Sequence, residues 1–289
     1  MVYLILVSLI WAFSFGLVGN TLAGLDLIFV ATVRLLIATV CFLPFFKLDG
    51  LKAPDYARLL TCGGVQFGVM YVCYLSAFQF IPSHLVALFS ITTPLYVVGI
   101  DSLFKKRFLT SFAPIALLSV IGALIIKSSS QYNGGSILIG FFLMQAAGLA
   151  FAFGQLYYRR WKRSHPKSAD QSVFMLLYLG AFIVAMVAAP FLIDWSRTEP
   201  TSLQWLTLAY LGLVASGLGF FLWNKGATQV NTGALAALNN ALVPVAMFVS
   251  LFIFGEVADA TLLDLLRLVV GGTVIAFAVY RAQKIGRVT

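Results

Sequence analysis

Ten runs of apolar residues, each long enough to cross a bilayer, take up almost the whole chain. They lie near residues 2–20, 27–46, 59–80, 84–104, 110–127, 136–158, 171–193, 203–224, 233–255 and 263–281. A helix needs roughly 20 such residues to span the hydrocarbon core. None of the runs alternates polar with apolar residues, which excludes a β-barrel. In lipid every backbone group must be satisfied within its own segment, and that leaves α-helices. With 61% hydrophobic and only 10% charged residues, the chain could not cover a soluble surface, which in an ordinary domain is about 25% charged. The reading is an all-α integral membrane protein of ten transmembrane helices, with no length left for a separate soluble domain.

The net charge of +9 does not point to nucleic acid, because the basic residues sit in short clusters between apolar runs and form no basic face. Such clusters orient membrane proteins. With the N-terminus inside, fifteen Lys and Arg fall on the cytoplasmic side, in loops around Lys47, Lys105, Arg159, Lys225 and Arg281; three, Lys127, Arg197 and Arg267, fall outside. Both termini are therefore expected in the cytoplasm. Arg34 alone is read as lying inside a run. The chain opens directly into an apolar run with no basic segment before it, so the first span is expected to be retained. Cys41, Cys62 and Cys73 lack metal-ligand spacing and read as small buried hydrophobes. Nothing calls for a metal or cofactor. No glycine loop of the nucleotide-binding kind occurs, so neither ATP nor an ATPase subunit is expected to drive it.

The chain resembles itself at an offset of 150. Residues 77–104 align without a gap on 227–254, with seven identities, among them Gln79 with Gln229 and Pro94 with Pro244. Five spans then make one repeat, 1–130, and five the other, 131–289. Five is odd, so the second repeat enters the membrane from the opposite side. Such inverted-topology repeats are the usual build of secondary transporters, with the substrate site at mid-depth between the halves. Both halves also place small polar residues one turn before a proline: Ser90 with Pro94, with Thr93 directly before it, and Asn239 and Asn240 with Pro244. A proline frees a carbonyl about four residues back, and that carbonyl needs a polar partner or a wet cavity. Pro94 and Pro244 are read as hinges.

The segments "SLIWAFSFGLVGN" (8–20), "FVATVRLLIATVCFLPF" (29–45), "YLSAFQFIPSHLVALFSITTPLYVV" (74–98) and "WNKGATQVNTGALAALNNALVPVAMFVSLFIFGE" (223–256) resemble the drug/metabolite transporter superfamily, in its form with two EamA-type domains. One departure is the Gly-Glu ending of the fourth and ninth spans: Gly255 and Glu256 keep it, while Lys105 and Lys106 replace it in the first half. The resemblance implies a multi-pass permease of the bacterial inner (plasma) membrane. It also implies cargo of small metabolites, often amino acids or related compounds moved outward by alternating access around a midplane cavity. Drug or cation efflux and metabolite uptake are the alternatives within transport.

Within that frame the candidate substrate-binding residues are Trp11, Ser14, Arg34, Tyr71, Tyr74, Ser90, Thr93, Tyr96, Gln155, Trp223, Asn239 and Asn240. Arg34 could pair with a substrate carboxylate or with Asp26. The aromatics suit amphipathic solutes. Phe15, Phe153, Asn20, Gln66 and Asn224 are further groups within spans, and His84 stands at the start of the fourth. A membrane-embedded transferase would need clustered acids, His or Lys near one interface, and a channel would need charge rings. The chain offers neither. No carboxylate lies at mid-membrane, so movement down a gradient is expected. The partners implied are a small-molecule substrate and the lipid bilayer, with monomer and homodimer both open.

Overall fold

A computed structural model of the chain describes residues 1–47, 50–81, 83–127, 137–253 and 261–285. Glu256 lies outside them, and so do the side chains of Phe15, Asn20 and His84. The helices are α1 (Val2–Thr21), α2 (Leu27–Phe42), α3 (Ala53–Ala77), α4 (Ser83–Ser90), α5 (Thr93–Lys105), α6 (Ala113–Lys127), α7 (Ile137–Ser164), α8 (Asp170–Leu192), α9 (Ser202–Thr228), α10 (Thr232–Asn239), α11 (Leu242–Phe252) and α12 (Leu262–Ile285). α4 with α5, and α10 with α11, are two broken passages, so the described helices make ten passages in all. No strand occurs among the described residues.

Local chemistry sets the ends. Asp26 caps α2 by accepting from the Phe29 amide at 2.9 Å, and also accepts from the Asp194 amide at 3.3 Å. Thr201 and Gln204 form a reciprocal capping box on α9, and the Gln204 amide reaches the carbonyls of Thr21 and Ala23 just past α1. In the loop before α9, the hydroxyl and amide of Ser196 hold the exposed Asp194 carboxyl below its usual range. Pro54 and the Asp55 carboxylate start α3 six residues before the expected 59. α7 runs six residues past the expected 158, to Ser164, because nothing breaks it before Pro166. That extension carries Arg159 out of the expected loop and into a helix, where it is buried.

The breaks differ in form from a simple kink. Ile91 and Thr92 separate α4 from α5, and Asn240 and Ala241 separate α10 from α11. Pro94 and Pro244 then sit in the first turn of the second piece, where a missing backbone donor costs nothing. The two breaks fall within one residue of the 150-residue offset. Each half also carries a π-helical segment, Gly64–Val69 in α3 and Leu211–Leu218 in α9.

Lipid gives no hydrophobic reason for one helix to seek another, so close packing of small residues holds the bundle. α3 meets α8 backbone to backbone: a Cβ on Gly63 would stand 1.9 Å from the Leu177 carbonyl oxygen, and one on Gly180 2.0 Å from that of Leu60. Gly122 of α6 and Gly271 of α12 meet in the same way. Large side chains such as Phe191 and Leu138 face outward, toward lipid. Gly180→Ala tests this directly. Alanine is the better helix former by about 1 kcal/mol, yet here it forces two helices apart at a cost of about 1–3 kcal/mol. The expected outcome is a lower unfolding temperature of the purified protein in detergent. An unchanged or higher value would show that α3 and α8 do not pack this closely.

Candidate transport site

The centre of the bundle is built where α1, α3, α7, α9 and α10 converge. Trp11 of α1 stacks on Trp223 of α9, with centroids 5.0 Å apart and planes 27° apart. Phe220 and Phe151 stand edge-on to Trp11 at 5.4 and 6.0 Å. The Trp223 indole donates to the Gln155 side-chain oxygen at 2.9 Å, and the Gln155 and Asn239 amides lie 3.4 Å apart. The Asn239 amide also donates to the Leu235 carbonyl at 2.8 Å, one turn back on its own helix. Trp223 and Gln155 are buried, whereas Trp11 and Asn239 are only partly so.

Beside this stack lies a cationic cluster. The Arg34 Nε–H donates to Ser216 Oγ at 3.0 Å, and its guanidinium lies over the Tyr71 ring, 5.2 Å from the centroid. The Tyr71 hydroxyl is 3.2 Å from the same Ser216 Oγ, and Tyr74 is within electrostatic reach of both Arg34 and Tyr71. Arg34 therefore reaches across to the second half of the chain, while Asp26 serves as a cap. Ser216 belongs to the π segment of α9. A π turn takes carbonyls off the helix ladder, and here side chains collect them. The Trp11 indole donates to the Ala215 carbonyl at 2.8 Å, and the Tyr178 hydroxyl to those of Ser216 and Gly217. About two turns further along α9, Gln66 and Asn224 form a reciprocal amide pair at 2.7 and 2.9 Å, wholly buried.

The fourth passage joins from the other side. Gln145 of α7 accepts from Thr92 at 2.8 Å and from the Tyr96 hydroxyl, and donates to the Phe89 carbonyl at 3.2 Å. Thr93 donates to the Ser90 carbonyl at 2.7 Å. Asn240 takes a different part from its neighbour. It is buried, and its amide donates to Ile91 O at 3.0 Å and Ser119 O at 3.2 Å. It thus ties the break of the ninth passage to the break of the fourth. Ser14 donates to the Trp11 carbonyl at 2.8 Å, within its own helix.

The structure thus brings Trp11, Trp223, Gln155 and Asn239 together, and Arg34, Tyr71 and Tyr74 beside them. Tyr96 bonds to Gln145 beside the break, where Thr93 bonds to the Ser90 carbonyl and Pro94 opens α5. Asn240 and Ser14 are committed to backbone carbonyls. Phe153 stacks on Tyr157, away from the indole pair. Ser216, Gln145 and Tyr178 are members of this network that no sequence pattern singles out. Among the described residues no group of three or more metal-ligating side chains occurs.

The two asparagines give a test. Asn240→Leu leaves two buried carbonyls without their donor and should lower stability by about 1–3 kcal/mol. Asn239→Leu removes a partly exposed amide and should leave the unfolding temperature nearly unchanged. Equal losses, measured by thermal unfolding in detergent, would erase the distinction.

The model of the EamA-like transporter family matches residues 1–128 and again 137–278. A Pseudomonas aeruginosa protein named "Probable biotin transporter" is 38% identical, covering 99% of this chain and 98% of its own length. The "Biotin transporter" of Salmonella typhimurium is 38% identical over 89% of this chain and 85% of its own. A "Probable amino-acid metabolite efflux pump" from Salmonella typhimurium is 22% identical over 99% and 97%. A crystal structure at 15% identity superposes with a TM-score of 0.78 over 98% of this chain and 96% of the other, so the fold is shared.

Proposed function

We propose, from the premise that this chain belongs to the EamA-like transporter family, that it carries a small carboxylated metabolite of the biotin kind across the bacterial inner membrane. The observation that carries this reading is the Arg34–Ser216–Tyr71 cluster beside the Trp11–Trp223 stack. A guanidinium is the natural partner of a carboxylate. Stacked indoles suit a compact ring system. The paired amides of Gln155 and Asn239 match a cyclic urea, which both donates and accepts hydrogen bonds. The relatives named as biotin transporters, similar over nearly the full chain, support the same cargo.

In this reading residues 1–130 and 131–289 form two halves that rock about the site, and the basic loops face the cytoplasm with both termini. The breaks at Pro94 and Pro244, and the π segments of α3 and α9, supply the places where packing changes. Trp223, Gln155 and Ser216 are sealed from solvent in this conformation, so a solute would reach them only as the halves part. No ATPase is invoked, and the cargo moves down its gradient. A second reading, export of amino acids or related compounds, is favoured by the distant efflux-pump relative.

Counterflow of labelled biotin into proteoliposomes, alongside an amino-acid panel, separates the two. Biotin flux is expected, falling at least tenfold in Ser216→Ala and Arg34→Lys while both variants remain folded. Amino-acid flux without biotin flux would move the assignment to the efflux reading.

A further inference from the structure

Arg159 lies on α7 four residues past Gln155, toward the end of the bundle that carries the basic loops. Residues four apart share a helix face, so its guanidinium continues the polar line that starts at Trp223 and Gln155. The side chain is only 5% exposed, and its Nε and Nη1 have no hydrogen-bond partner. Buried cations are almost always paired, because an uncompensated one loses its hydration without return.

The surroundings do not supply the missing anion. Asp101 of α5 is near enough for its charge to act on Arg159. Its carboxylate, however, accepts from Lys105 at 2.7 Å and from the Thr232 hydroxyl of α10. No ion pair joins it to Arg159 among the described residues. Arg163, one turn on, adds a further positive charge. Asp101, whose Oδ2 already holds Lys105 and Thr232, is thus, among the described residues, the one carboxylate whose charge reaches Arg159, and it forms no hydrogen bond to Nε or Nη1. The exposed Arg160 is occupied elsewhere, donating to the Phe104 carbonyl at 3.3 Å and lying over its ring.

We propose that Arg159 is a second carboxylate-binding group, at the basic-loop end of the path, which takes the anionic end of the cargo after it has passed Gln155. The proposal rests on the reading of the chain as a carrier of carboxylated metabolites. The location between α5, α7 and α10 favours a small soluble carboxylate over the phosphate of a lipid headgroup, which would approach from the outer surface of the bundle.

The test is thermal unfolding of the purified full chain in detergent. The probes are hexanoate, hexanamide, biotin, biotinamide, inorganic phosphate and phosphatidylglycerol. A ligand that binds only the folded state raises the transition in proportion to RT ln(1 + [L]/Kd). Hexanoate and biotin should raise it and their amides should not. Arg159→Gln should shrink the hexanoate shift at least twofold, with an unliganded transition no lower than wild type, since an unpaired buried charge has been removed. Arg163→Gln should keep the wild-type hexanoate shift. A hexanoate shift that depends on Arg159, with no response to biotin, would uphold this site and overturn the biotin assignment alone. An undiminished shift in Arg159→Gln, or a shift lost in Arg34→Gln only, would overturn the site. Stabilisation by phosphate or phosphatidylglycerol without stabilisation by carboxylates would also overturn it. If Arg159→Gln does not fold, Arg159→Lys carries the test: it keeps the charge but not the fork, and hexanoate affinity should fall at least threefold, equal affinity counting against the proposal.

Discussion

Everything in this bundle depends on one demand of the bilayer: a backbone carbonyl without a partner cannot be left in hydrocarbon. Uninterrupted helices satisfy every backbone group internally and leave only side chains to meet a solute. The chain departs from the α-ladder at four places, two breaks and two π segments. At two of them, the π segment of α9 and the break between α4 and α5, side chains from elsewhere in the chain satisfy the carbonyls so exposed. Trp11 and Tyr178 serve the π turn of α9, Gln145 the end of α4, and Asn240 the break at Ile91. Most of these donors come from the opposite half of the chain, so the irregular backbone and the contact between halves are one feature.

Small residues and polar residues play different parts in this arrangement. Glycines let α3 and α8 approach until backbones touch, which fixes a rigid wall. Amides and hydroxyls do the reverse. They join helices through single directional contacts, worth about 0.6 kcal/mol on average between membrane helices, that can be exchanged as helices slide. The Gln66–Asn224 pair links third and eighth passages, and the Gln155–Asn239 pair links sixth and ninth. The glycine contacts join residues 1–130 to 131–289, as the Gln66–Asn224 pair does, so rocking of the two halves would slide helices along the former and trade the latter.

The fold is largely legible in the sequence because length and hydropathy decide it. Ten apolar runs can only be ten helices in lipid, and the offset of 150 residues places both breaks within one residue. The candidate site is legible as composition and opaque as geometry. Asn239 and Asn240 are adjacent and alike in type. Yet a helix turns by 100° between neighbours, so one faces Gln155 and the other the fourth passage. No pattern in the sequence could say which. Ser216 carries no signal by itself, since its part depends on Arg34 arriving from 182 positions away. Arg159 reads as a loop residue because basic clusters normally mark loops. The helix that contains it continues only because its first breaker is Pro166.

That misplacement bears on how such a carrier handles charge. The positive-inside pattern treats basic residues as labels of orientation, interchangeable and solvated. Arg160 and Arg163 behave that way, exposed at the rim. Arg159, in the same cluster, is turned inward by the helix period and lies beneath the surface with two donors unused. Arg34, in the core, is by contrast already supplied with Ser216 and the face of Tyr71. A cation that is comfortable when the site is empty can hold an anion only by exchange of partners. One that is uncomfortable takes up an anion without giving up any partner. From Arg34 to Arg159 the chain therefore runs from a satisfied cation to an unsatisfied one, and for the carboxylated cargo proposed above that asymmetry would favour leaving the middle of the membrane.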